Sequence, residues 1–123
     1  MGHVYHQAGL YAQKARKVRM FVDTGSTFSI IPRALADSLG ITYAGIKHRV
    51  QLADGRHITM KAATLGFRVL GRDVPSTVLV GKVDEPILGV ETLEALGLAV
   101  DPRSGKLKKT RSWTLRVGPV IRR

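Results

Sequence analysis

The sequence predicts an all-β domain carrying one or two short helices. Three observations point there: the apolar segments are short, turn residues recur between them, and glycine is frequent, at 13 of 123 residues. A chain of this length makes one compact domain and buries roughly two-thirds of its unfolded surface on folding. It contains no run of apolar residues long enough to span a membrane. Its start, "MGHVYHQAGLY", lacks the basic segment and long apolar stretch of a signal peptide. His6 also stands where a myristoylation motif needs Ser or Thr. A soluble cytoplasmic protein without a membrane partner is therefore expected. With no cysteine, disulfide and thiolate chemistry are excluded.

The elements follow in order. Strands are expected over residues 3–11, 19–23, 47–52, 58–70, 76–80 and 98–101. The run Lys14-Ala15-Arg16-Lys17 reads as a solvated hairpin tip between the first two. Residues 32–39, "PRALADSL", form a helix with Pro near its start and Gly40 past its end; residues 90–96, "VETLEAL", form another, closed by Gly97. Leu35 with Leu39, and Leu93 with Leu96, face the core. Glu91 and Glu94 lie toward a helix N-terminus, where carboxylates are favoured, so both acids have a structural reason to be there. The two helical regions also repeat: Asp37-Ser38-Leu39-Gly40-Ile41 returns as Glu94-Ala95-Leu96-Gly97-Leu98. The same shift places Val22-Asp23 on Leu79-Val80, so each half reads as strand, connection, helix and glycine, but only the first carries an acid.

That acid sits in Phe21-Val22-Asp23-Thr24-Gly25-Ser26-Thr27. A carboxylate closing an apolar strand needs partners or a purpose, because an uncompensated buried charge is costly. Glycine permits a sharp turn after it, and hydroxyl residues surround it. The stretch resembles the active-site motif of aspartic proteases, and one motif in a short chain resembles the retropepsin-like branch, whose members act as homodimers. Pro86-Ile87-Leu88-Gly89, leading into the second helix, resembles the family's second signature. The resemblance covers residues 18–102, and the run "ILGVETLEALGLAVDP" is similar to small prokaryotic members.

It implies an acid-protease-like closed barrel in a symmetric homodimer. The domain would span residues 1–109 and a basic tail residues 110–123. Asp23 of each chain would be catalytic, with Thr24 locking the two active-site loops across the axis and Gly25, Ser26 and Gly89 supporting them. A Ser26 hydroxyl donating to the ionised carboxylate would move the working pH downward. No cofactor is implied.

Residues 50–60, "VQLADGRHITM", are a hairpin candidate with Asp54-Gly55 at the tip. A two-residue turn sets Leu52 opposite His57. A three-residue loop, Asp54-Gly55-Arg56, sets Leu52 opposite Ile58 and Val50 opposite Met60; it matches apolar with apolar and is preferred. By the resemblance this hairpin is a substrate-covering flap, with Leu52, Ala53, Asp54, Gly55 and Arg56 contacting the peptide. Arg56 could favour acidic or polar peptides. His3, His6, His48 and His57 show no metal-ligand spacing and read as surface or hairpin residues.

The net charge of +11, with seven Lys or Arg and no acid from Lys106 onward, admits a polyanion partner. Trp113 within that tail could stack on single-stranded nucleic acid. No nucleic-acid motif accompanies the charge, so a solvated basic surface is the preferred account and nucleic acid the less favoured partner. Three functions remain open: a homodimeric aspartic endopeptidase acting on extended peptides, a non-catalytic module of the same fold that binds peptide or polyanion, and, less favoured, a protease whose basic tail docks it to nucleic acid or a ribosome.

Overall fold

The computed structural model describes residues 3–51 and 54–110. Leu52 and Ala53 of the expected flap lie outside the described residues, as do residues 111–123 of the expected tail. The order of elements is β1 (Val4–Tyr11), β2 (Ala15–Val22), β3 (Ser29–Pro32), α1 (Arg33–Leu39), β4 (Tyr43–Gln51), β5 (His57–Val69), β6 (Arg72–Gly81), β7 (Ile87–Leu88), α2 (Val90–Leu96), β8 (Leu98–Val100) and β9 (Leu107–Lys109).

Strands β1, β2, β7, β3, β6, β5 and β4 hydrogen-bond in that order, and β1 also pairs with β5. Six of them thus close a ring, with β4 added outside β5. This all-β architecture with two short helices is compatible with the protease fold. Inside the ring lies a core built from Leu10, Met20, Ile31, Leu65, Phe67 and Leu88, closed by Leu39 of α1 and Leu93 and Leu96 of α2. A second apolar cluster of Ile30, Met60, Ala62 and Leu79 takes the alternate residues of β3, β5 and β6 on the other face.

The repeat read from the sequence reappears as geometry. The shift that carries Asp37 onto Glu94 carries β1, β2, β3 and α1 onto β5, β6, β7 and α2. Both helices have the same length and end on a left-handed glycine, Gly40 at φ 69° and Gly97 at φ 68°. Each half's short strand pairs in parallel with the second hairpin strand of the other half: β3 with β6, and β7 with β2.

Several expectations need correction. Ala15, Arg16 and Lys17 belong to β2, and the hairpin turns at Ala12-Gln13-Lys14, because Ala15 pairs with Tyr11. β3, β7 and β9 are strands the sequence reading left out. The β4–β5 register differs from both registers considered: Gln51 pairs with His57, Val50 with Ile58 and His48 with Met60. Apolar still meets apolar at Val50 and Ile58, but the last pair comes two rungs earlier, so Val50 does not oppose Met60.

Candidate active site

Asp23 is the first residue beyond β2. Its backbone N–H donates to the Leu88 carbonyl at 3.0 Å, and that of Phe21 to Pro86 at 2.9 Å, so β7 fixes the strand up to the acid. The chain then turns sharply. Ser26 N–H donates to the Asp23 carbonyl at 3.1 Å, and Gly25 N–H donates to Asp23 Oδ1 at 2.9 Å. A side chain on Gly25 would place its Cβ 3.2 Å from that same oxygen, tighter than an ordinary contact. Asp23 is half-buried, while Thr24 and Gly25 beside it are exposed.

Ser26 does not reach the carboxylate. Its hydroxyl donates to the Phe28 carbonyl at 2.7 Å, so it shapes the loop, and the expected downward shift of working pH loses its hydrogen bond.

The loop is held from behind by α2. A helix start leaves backbone N–H groups without partners, and this one has no side-chain cap. The loop supplies them: Val90 N–H donates to Ser26 O at 2.8 Å and Glu91 N–H to Thr27 O at 2.9 Å. Such close passage needs glycine at position 89. A Cβ there would lie 2.4 Å from the Phe28 carbonyl oxygen and 2.9 Å from that of Ser26. Gly89 N–H itself donates to Ser29 Oγ at 3.0 Å.

Ser29 opens a buried chain of hydroxyls that the sequence reading missed. Ser29 Oγ lies 2.7 Å from Thr92 Oγ1, which lies 2.8 Å from Ser76 Oγ. Gly89 N–H enters the series as a donor, either hydroxyl can donate in the two links that follow, and among the described residues no buried side-chain polar atom lacks a partner. A signal was present: Thr92 shares a helix face with Leu96, and a hydroxyl on an apolar stripe announces a buried partner.

In front of the loop runs a groove of about 640 Å³, bounded by Asp23 and Phe28 on one side and by β4 on the other. Ile30, Met60, Leu79, Val83 and Ile87 form its apolar floor. His48, read from sequence as a surface or hairpin residue, lies on hairpin strand β4, and it also lines this groove and meets the Phe28 ring, centroids 5.5 Å apart. At the hairpin tip, Gly55 takes φ 91°, and Arg56 is engaged by its own neighbour: its Nε donates to Asp54 Oδ2 at 2.7 Å and its backbone N–H to Asp54 Oδ1 at 3.0 Å. The backbone bond first, then the side-chain bond, holds the Asp54 carboxyl below its ordinary value. Arg56 is thus not a free cation awaiting an acidic peptide. Among the described residues no group of three or more His, Cys, Asp or Glu is placed to hold a metal ion. No helix there is long and apolar enough to cross a membrane.

A strand-end aspartate turned by Asp-Thr-Gly, on a loop seated against a helix start beside a groove, defines an aspartyl-protease-like domain. The family described as "gag-polyprotein putative aspartyl protease" has a model that matches residues 13–95, more than half of the chain. The chain belongs to this retropepsin-like family. No curated protein matches the sequence.

Proposed function

We propose that this protein is a homodimeric aspartic endopeptidase, with Asp23 of each copy at the two-fold axis. The observation that carries the reading is that Asp23 is the single acid lining the groove among the described residues, held at its rim by the Gly25 N–H. Hydrolysis by carboxylates alone takes two of them, and a C₂ dimer supplies the second by symmetry. Two carboxyl groups at short range cannot both ionise comfortably, so the pair holds one proton, as in aspartic proteases generally.

The ionised partner takes a proton from a water molecule as that water attacks the scissile carbonyl, and the protonated partner gives its proton to the carbonyl oxygen. A tetrahedral diol results. When it collapses, the carboxylate that now holds the water's proton delivers it to the leaving nitrogen, and the diol's proton returns to the other carboxylate. One water is consumed; an acid and an amine leave.

The substrate is an extended peptide in the groove, covered by the β4–β5 hairpin, whose tip residues Leu52, Ala53, Asp54, Gly55 and Arg56 act as the flap. Thr24, exposed beside Asp23, bonds across the axis, while Gly25, Ser26 and Gly89 hold the loop. The protease domain spans residues 1–109, with residues 110–123 as a basic tail.

A peptide library assayed across the acid to neutral range tests the reading. Asp23→Asn should lose about a hundredfold or more of the cleavage rate while still binding peptide. Equal behaviour of the two proteins would favour the non-catalytic binding module instead, the version that the +11 charge favours.

A further inference from the structure

The groove is apolar along its floor but not along the wall that β4 makes. In β4, His48 and Val50 are half-buried while Lys47, Arg49 and Gln51 are exposed. Strand alternation seats the first pair more deeply, while Arg49 and Gln51 reach the groove from its exposed margin. The His48 ring stands at 60° to that of Phe28, which ends the loop carrying Asp23. Below it is Met60, its fully buried cross-strand partner on β5. On these two sides the imidazole has apolar neighbours.

The charged groups around it are few. The loop contributes Asp23, and β4 contributes Arg49 at the groove margin and Lys47 on its outer face. On β5, Lys61 sits over the Tyr43 ring, 5.1 Å from its centroid. β3, β6 and β7 bring only Ile30, Leu79 and Ile87 to the groove.

We propose that His48 is a specificity-determining residue, and that the groove takes peptides with an acidic side chain placed among apolar ones. The inference rests on the groove being the peptide site. Histidine is the side chain that can gain a positive charge near neutral pH, and an imidazole charged on this wall would draw a carboxylate. An aromatic face favours a cation set against it, and Phe28 supplies that face. A Glu side chain of the peptide gains an ion pair there; the isosteric Gln does not. Arg49 also borders the groove, but its charge is the same on either side of neutral pH, and Arg56 is already held by Asp54.

The test uses reduced-amide peptides, which bind but are not cleaved. Pairs differing only by Glu or Gln are scanned along an apolar sequence, and binding is measured by fluorescence anisotropy at about pH 5 and about pH 8. The wild type is compared with His48→Phe, which keeps a ring against Phe28, and with His48→Gln. At one peptide position Glu should bind about two- to fivefold more tightly than Gln in acid. That preference should vanish at the higher pH and in both variants. The proposal is overturned if no position prefers Glu, or if the preference survives in either variant. Matching cleavable peptides, read separately, report on the peptidase: a Glu preference without cleavage keeps the subsite and removes the enzyme, and cleavage without the preference does the reverse.

Discussion

At the residue scale, the candidate site depends on groups that do no chemistry. Thr92 lies behind the Asp23 loop and ties α2 to β3 and β6 through Ser29 and Ser76. Thr92→Val keeps the volume but leaves both serines short of a partner in a dry place. It should lower stability by about 1–3 kcal/mol in chemical denaturation, with Thr92→Ser recovering most of it. Asp73 offers a different residue-level test. Hydrogen bonds from Arg68 at 2.7 and 2.9 Å, then the Arg68 charge and the Tyr11 hydroxyl, hold its carboxyl below the ordinary 3.8, while burial pushes the other way. A depressed folded value contributes stability that is present above the unfolded value and lost as pH falls through the folded one. Acidification below about pH 4 should therefore cost the wild type more melting temperature than Asp73→Asn, modestly, because the pair is largely exposed.

At the element scale, the long strands and both helices were legible because each carries its own signal: alternation in β1 and β5, Pro and Gly at the helix ends. The strands that escaped, β3, β7 and β9, have two to four residues. In Ser29–Pro32 the first three residues are all buried, so no alternation marks it as a strand. Its identity comes from β6 and β7 on either side. The hairpin between β5 and β6 holds a local strain that sequence reading could not see. Val69 pairs with Arg72, leaving Leu70 at φ 52° and Gly71 at φ 78° in a two-residue turn. Such turns prefer Asn-Gly. Leu70 is exposed and is not among the buried residues of the core, so Leu70→Asn should raise stability by about 0.5–1 kcal/mol in thermal or denaturant unfolding.

At the scale of the whole molecule, the proposed chemistry needs two copies. Specific activity should fall steeply on dilution, tracking the loss of dimer in sedimentation equilibrium, and a tight-binding peptide should hold the dimer together at concentrations where the free protein dissociates. Activity that stays proportional to protein down to the monomeric range would remove the shared-carboxylate mechanism.

By itself the sequence determined the all-β class, the helix ends, the internal repeat and the Asp-Thr-Gly turn, because each follows from local conformational preference or from a period a few residues long. Only the tertiary structure decided where the Ser26 hydroxyl points, why position 89 must be glycine, that Ser29, Thr92 and Ser76 share one hydrogen-bonded series, and that His48 faces Phe28 across the groove. Those facts join residues far apart in the chain, and no local preference encodes which distant backbone or ring a side chain will meet.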